Sequence, residues 1–333
     1  MEEARGQRGV RTVSEVAVEF PAPLVSRIRR WLSAEADLAD ATWWLLCLFA
    51  LAIPFSIALA QTLLTLTTAV AVRHWWIAGK PLPRSPLDLP IACFILAALL
   101  AAILGLDVRQ GLWGTRTYLQ VVILYLILAH VPNERRALLV VRFFLVGMIV
   151  TSAHTVFNAI SPWRLPKVFP GEMTESGQLL FAIGLTASLS LYRALWPSLL
   201  PYALALHSMA LLANLKRGVW LGTLAMMVVI GLARSWRMLA AATVVFAATA
   251  TLVPDVRVRI ENTVRDLYLP GNRYDIWMAA VDVIERFPMG IGRKNGTILR
   301  DYPNVPPNHK HAHNNLLQIT VESGFFGLVA FLW

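Results

Sequence analysis

Three histidines stand close together near the end of the chain, and their side chains could transfer a proton or bind a metal ion. They are His309, His311 and His313. An imidazole changes its charge near neutral pH, so a positioned histidine can remove the proton of a hydroxyl group. Alternate histidines share one face of an extended segment and could bind metal, but in a helix His311 and His313 would point about 200° apart. No cysteine or carboxylate cluster with ligand spacing accompanies them, so we favour a general base over a metal site or a solvated histidine.

Two groups of basic residues could bind phosphate. Lys216 and Arg217 open an apolar run, and Arg273 opens a segment with helical periodicity. A guanidinium group suits phosphate because its planar fork donates two parallel hydrogen bonds. These three residues are therefore our candidates for binding a phosphorylated substrate.

Residues 272–287 predict an amphipathic helix that would position Arg273. Pro270 and Gly271 precede it, and Pro288 ends it. At about 100° per residue, the residues on the same side as Arg273 are Ile276, Trp277, Ala280, Ile284 and Phe287. Arg273 is expected on the apolar face, either as an arginine that extends back to water or as one held against a phosphate.

The composition indicates that these residues belong to a membrane protein. Of the 333 residues 57% are hydrophobic and 15% are charged, against roughly 25% charged in soluble proteins. This excludes a soluble enzyme, a coiled coil and a disordered chain. Apolar runs long enough to cross a bilayer predict an all-α bundle of about ten spans, near 41–60, 61–78, 87–104, 113–131, 137–160, 176–194, 196–213, 217–233, 237–253 and 313–333.

The distribution of basic residues predicts the topology. Inner loops are rich in Lys and Arg, which favours an inside N-terminus and places 254–312 outside. We therefore divide the chain into a cytoplasmic or interfacial segment 1–40, a helix bundle 41–253, an outer catalytic loop 254–312 and a span 313–333. The last run is still apolar at Trp333, so we expect the chain to be truncated there. Lys216 and Arg217 then lie outside, against the trend, as if they bound an anion, and Trp220 is expected at the membrane interface.

The interiors of the predicted spans contain almost no charged residues. The polar side chains there are His154, Asn158, Gln178 and His207. Ion-coupled transporters place charged groups in their spans, and these spans have almost none. We therefore interpret the four polar residues as hydrogen-bonding groups between helices. The chemistry is expected at one membrane face instead.

Several ordered motifs resemble the signature of a known family. They read GNRYDIW at 271–277, FPMGIG at 287–292, HAHNNLL at 311–317 and ESGFFGL at 322–328, with KRGVWL upstream at 216–221. Together they resemble the bacterial O-antigen ligase and O-antigen polymerase superfamily, closest to the lipid A-core:O-antigen ligases. The resemblance covers most of the chain from about residue 40, and its specific motifs lie between 214 and 328.

The resemblance implies an enzyme of the bacterial inner membrane whose active site faces the periplasm. Members of this superfamily are polytopic glycosyltransferases that use undecaprenyl-diphosphate-linked glycans, and the ligases need no metal or other cofactor. Arg217 and Arg273 match arginines expected to hold the diphosphate, with Lys216 beside them. His313 matches the expected base, and His311 is its rival. Further spans would be expected after Trp333.

The first functional hypothesis is an inverting O-antigen ligase that transfers the glycan to lipid A-core. A retaining reaction would need a carboxylate nucleophile, and Asp275, Asp301 and Glu322 have no clear claim to that role. The alternatives are an O-antigen polymerase or a protein O-oligosaccharyltransferase with the same donor, or a flippase without chemistry. The expected partners are the lipid-linked donor, lipid A-core and membrane lipids, and no nucleic acid is expected.

Overall fold

The computed structural model describes residues 35–79, 83–163, 165, 172–192, 196, 198–307 and 310–333. These residues form helices and no strand, which confirms the all-α class. Most of the predicted N-terminal segment, up to residue 34, lies outside the described residues. The α-helices are α1 Glu35–Ala52, α2 Ile57–Ala78, α3 Asp88–Leu104, α4 Val108–Thr115, α5 Val122–His130, α6 Glu134–Ile160, α7 Glu172–Tyr192, α8 Leu200–Asn214, α9 Arg217–Arg234, α10 Trp236–Leu252, α11 Pro254–Glu261, α12 Thr263–Leu267, α13 Arg273–Arg286 and α14 Asn315–Leu332. Two 3-10 segments are Arg116–Val121, between α4 and α5, and Gly296–Asp301.

Fewer helices than predicted meet the requirements for a membrane span. Within the described residues, four stretches are long and apolar enough: Val108–His130, Glu134–Ile160, Arg217–Arg234 and Asn315–Leu332. A fifth would join α10 to α11 across a bend of 93°, and α3 is apolar but shorter. The ten predicted spans are therefore not confirmed. Polar residues reduce the hydropathy of several of the other helices, such as the acidic residues of α1 and Gln61, Arg73 and His74 of α2.

The boundary between the first two helices was predicted between residues 60 and 61, and the structure has it elsewhere. The chain turns at 53–56 instead. Pro54 has no backbone N–H and cannot continue α1, and Ser56 caps α2 by accepting a hydrogen bond from the Leu59 amide at 3.3 Å. Apolar residues flank this turn on both sides, which is why the hydropathy pattern alone placed it wrongly.

Two buried clusters organise the part of the fold that carries the candidate residues. The first lies between α6, α7, α8 and α9 and includes Leu145, Ile183, Leu211, Trp220 and Met227. The second forms inside the long loop, where the buried face of α13 packs against residues from 291–312 and from α14. The predicted loop is thus a folded unit with its own core, attached to α14.

The polar side chains predicted to bond between helices pair in different ways. His207 of α8 and Ser152 of α6 are hydrogen-bonded with 2.8 Å between Nδ1 and Oγ, and Gln178 Nε2 donates to the Ile53 carbonyl at 2.9 Å. The His207 contact confirms the prediction of a hydrogen bond between helices, whereas Gln178 bonds the turn between α1 and α2. Asn158 differs, because it bonds His154 of its own helix and the backbone of Leu165.

Candidate active site

The amphipathic helix that carries Arg273 forms as the sequence predicts. Helix α13 spans Arg273–Arg286 and follows Gly271, whose φ of +79° is in the left-handed region that favours glycine. The Gly271 amide donates to the Asp275 carboxylate at 2.8 Å, which fixes the turn to the helix. The buried residues are Ile276, Ala279, Ala280, Val283 and Ile284. Helix α13 is therefore held by one apolar face, with Arg273 exposed at its first turn.

Arg273 contacts the histidine segment. Its Nη1 donates a hydrogen bond to the backbone carbonyl of His313 at 3.1 Å, across 40 residues of sequence. His313 is exposed and has a φ of +51°, a conformation that costs a non-glycine residue about 1–3 kcal/mol. Asn314 then caps α14 by accepting from the amides of Leu316 and Leu317 at 3.0 and 3.3 Å. The structure thus brings Arg273 and His313 together immediately before a capped helix.

Arg217 joins the same region through an acidic residue that the sequence did not reveal. Its Nη2 lies 2.5 Å from Oδ2 of Asp266, and the two side chains are 23% and 36% exposed. The Asp266 backbone carbonyl accepts a hydrogen bond from Asn272 Nδ2 at 2.5 Å, and Asn272 precedes Arg273. A continuous path of contacts therefore runs from Arg217 through Asp266 and Asn272 to Arg273 and His313.

Lys216 and Arg217 lie where α9 begins. Lys216 is the N-cap residue, and Arg217 is the first residue of the helix. Leu215 before them has a φ of +56°, which turns the chain sharply out of α8. We expected these basic residues to bind an anion. Asp266 is one such anionic group, and it compensates some of the charge of Arg217.

Helix α14, predicted as continuous, is broken at Gly324, and this break attaches the long loop. Gly324 has φ +68° and ψ −175°, a combination that is essentially restricted to glycine. The segment 288–292 replaces the hydrogen bonds that are lost from the helix. Pro288 O accepts from Phe325 N at 3.1 Å, Ile291 N donates to Val321 O at 2.9 Å, and Gly292 N donates to Glu322 O at 3.1 Å. The loop that follows α13 is therefore bonded directly to the helix that follows His313.

A buried carboxylate lies beside this break. Glu322 is 7% exposed and accepts a hydrogen bond from Gln318 Nε2 at 2.8 Å. Its other oxygen lies 3.6 Å from Arg293 Nη1. Burial opposes the charge of Arg293, yet the hydrogen bond with Tyr118 and the charge of Glu322 leave the pKa of Arg293 above its usual value. One oxygen of Glu322 is thus hydrogen-bonded to Gln318, and the other is paired with the cation of Arg293.

The other two histidines of the predicted cluster are not part of this path of contacts in the described residues. His311 is exposed, and His309 lies outside the described residues. In the part of the chain that the structure describes, no group of three His, Cys, Asp or Glu side chains is arranged to bind a metal ion. Nearby, burial and then the hydrogen bond to Asp282 raise the pKa of Tyr302 to about 12, so this phenol stays protonated near neutral pH.

Comparison with known proteins identifies this part of the chain. Residues 202–332 match the sequence family described as O-antigen ligase. This C-terminal part of the chain is similar to the O-antigen ligase family. No curated protein and no solved structure matches the chain. The match begins in α8 and ends at the end of α14, so it includes every contact in the path from Arg217 to His313 and confirms the resemblance drawn from the motifs.

The family match over residues 202–332 points to a general function. Members of this family are ligases and polymerases of the glycosyltransferase type that handle lipid-linked glycans. Together with helices long and apolar enough to cross a bilayer, the match indicates a membrane protein of lipopolysaccharide biosynthesis.

The sequence gives no sign of the Asp266 contact, because Asp266 and Arg217 are 49 residues apart. By contrast, the i,i+4 spacing of Gln318 and Glu322 on α14 is visible in the sequence.

Proposed function

We propose that the protein is an O-antigen ligase that transfers a glycan from undecaprenyl diphosphate to lipid A-core. The observation that carries the proposal is the hydrogen bond from Arg273 to the His313 carbonyl. It holds a phosphate-binding type of side chain against the backbone of a residue whose side chain can accept a proton, within a region that matches the O-antigen ligase family. The reaction would occur at the periplasmic face of the bacterial inner membrane.

Arg217 and Arg273 would bind the diphosphate of the donor, with Lys216 as a third cation. A guanidinium group has five N–H donors. The bond of Arg217 to Asp266 and the bond of Arg273 to the His313 carbonyl each use one of them. Negative charge grows on the diphosphate as its bond to the anomeric carbon breaks, and fixed cations stabilise that charge. Asp266 would orient Arg217 while lowering the net charge of the empty site.

His313 would act as the general base, with His311 as the rival. The acceptor hydroxyl would form a bond to the anomeric carbon while its proton passes to the imidazole and the diphosphate departs. One such displacement inverts the anomeric centre. A carboxylate nucleophile fits poorly, because one oxygen of Asp275 is bonded to the Gly271 amide and both oxygens of Glu322 are engaged.

An apolar cavity of about 110 Å³ supports a lipid-linked donor. It lies between α7, α8, α9 and α10, and Trp220, one turn after Arg217, is among its lining residues. A phosphate at Arg217 would therefore place the attached isoprenoid chain beside this cavity. The cavity could receive a short stretch of that chain, and the rest would lie in the lipid.

The test compares three acceptors with one donor. Purified protein would receive undecaprenyl-diphosphate-linked glycan with lipid A-core, with a second lipid-linked glycan, or with a pilin-like protein. We expect product with lipid A-core. Polymer would identify the related polymerase activity and glycoprotein a protein O-oligosaccharyltransferase, whereas transport without product would identify a flippase. Arg273→Ala should abolish product, and Arg300→Ala, an exposed arginine in the same loop, should not.

A further inference from the structure

The buried Glu322 is part of a hydrogen-bonded chain that reaches the segment of His313. The amide of Ala312 donates to Gln318 Oε1 at 2.7 Å, and Gln318 Nε2 donates to Glu322 Oε1 at 2.8 Å. Arg293 lies 3.6 Å from the second oxygen of Glu322. The chain thus connects the residue directly before His313 with a buried ion pair on α14.

The polarity of this chain leaves Gln318 one orientation. Its amide must present oxygen to the Ala312 N–H and nitrogen to the carboxylate of Glu322. A carboxylate accepts only, so Glu322 fixes which end of Gln318 faces Ala312. Arg293 balances the charge that would otherwise make a buried carboxylate costly. Each group in the chain therefore determines the position of the next.

Building on the proposed function, we propose that Gln318 and Glu322 are positioning residues that hold the backbone of His313 in its reactive place. Arg273 holds the carbonyl of His313 from one side, and Gln318 holds the amide of Ala312 from the other. The left-handed φ of His313 is unfavourable for a histidine and persists only where the surroundings enforce it. These two anchors supply that constraint on either side of the imidazole.

An exchange of the two side chains tests the proposal. Gln318→Glu keeps an acceptor for Ala312 but places two carboxylates face to face. The double variant Gln318→Glu, Glu322→Gln restores the polarity, because the new amide at 322 can donate to the new carboxylate at 318. Gln61→Glu, at an exposed position near the start of α2, controls for an added negative charge.

We expect Gln318→Glu to lower kcat by about 100-fold, as a displacement of about 1 Å can do. The donor KM should change little, because the arginines and not the histidine segment bind the donor. The double variant should recover at least about 10-fold of that loss, and Gln61→Glu should match the native protein. A double variant no better than Gln318→Glu, or full activity in the single variant, would overturn the positioning role.

Hydrogen exchange of the Ala312 amide provides a readout that is independent of turnover. It should become faster in Gln318→Glu and return towards the native rate in the double variant. If exchange follows this pattern while native protein transfers no glycan, the proposed function fails and the positioning chain stands. Unchanged exchange in Gln318→Glu would refute the chain itself.

Discussion

The replacement Gly324→Ala should disable the enzyme by displacing the loop that docks on α14. A Cβ atom at this position would lie 2.5 Å from the carbonyl carbon of Met289 and 2.6 Å from the carbonyl oxygen of Pro288. The alanine would also have to adopt φ +68° and ψ −175°, which costs a residue with a side chain on the order of 1–3 kcal/mol. The segment 288–292 must therefore move, or α14 must straighten and release it.

The size of the effect follows from these distances. Ordinary van der Waals contact begins near 3.4 Å, so a neighbour now at 2.5 Å must retreat by about 0.9 Å. Segment 288–292 is bonded to the carbonyls of Val321 and Glu322, so the displacement reaches the chain that positions His313. A misplacement of about 1 Å can reduce a rate about 100-fold, and we expect kcat to fall by about that factor.

The assay is glycan transfer by purified protein, with thermal unfolding recorded in parallel. Gly177→Ala is the matched control, because this glycine has negative φ and nothing lies within 4 Å of an added Cβ. Gly324→Ala should remain folded in the membrane, unfold at a lower temperature and transfer slowly, while Gly177→Ala behaves as the native protein. Full activity in Gly324→Ala would refute both the break in α14 and the role of the docked loop.

Four further predictions concern the proposed site and the topology. His313→Ala should reduce transfer at least about 100-fold and His311→Ala less; a larger loss for His311→Ala would move the base by two residues, and no loss in either would exclude histidine catalysis. Arg273→Lys should be impaired in donor turnover, because an ammonium group cannot donate in a bidentate fork. The Arg217→Ala, Arg273→Ala pair should be little worse than the poorer single variant, whereas losses that multiply would show independent roles. An exposed cysteine from Thr297→Cys, in a background without native cysteines, should react with an impermeant maleimide in intact spheroplasts, and protection until lysis would invert the proposed topology.

Local signals in the sequence predicted α13 well. Pro270, Gly271 and Pro288 bound it closely, and the helical period identified Ile276, Ala280 and Ile284, all of which are buried. Such features depend on neighbouring residues alone. The start of α9 at Arg217 was predicted for the same reason, because a basic pair directly precedes an apolar run.

Features that depend on distant residues were missed or predicted wrongly. Trp220 was expected at the membrane interface, but it is 4% exposed and its indole Nε1 donates to the Leu211 carbonyl at 3.1 Å. The apolar run from 313 to 333 showed no break. Helix α14 is interrupted at Gly324 by a segment that docks from another part of the chain. Hydropathy records the composition of a run and not the contacts that bend it.

The same limit applies to the candidate site. Residue type identified Arg217, Arg273 and His313 as capable of the chemistry, but not how they are joined. Their connection depends on Asp266 and on backbone groups, which have no sequence pattern of their own. Residue types therefore predicted the candidate members of the site, and the fold was needed to find the residues that hold them.

The most direct measurement follows donor and product together in purified protein supplied with lipid-linked glycan, lipid A-core and excess EDTA. We expect one undecaprenyl diphosphate released per glycan transferred, with inversion at the anomeric carbon, because two guanidinium groups supply the charge stabilisation that a metal ion provides elsewhere. Loss of transfer in EDTA that a single divalent ion restores would contradict this mechanism and would make the histidines metal ligands. A retained anomeric configuration would contradict the direct displacement.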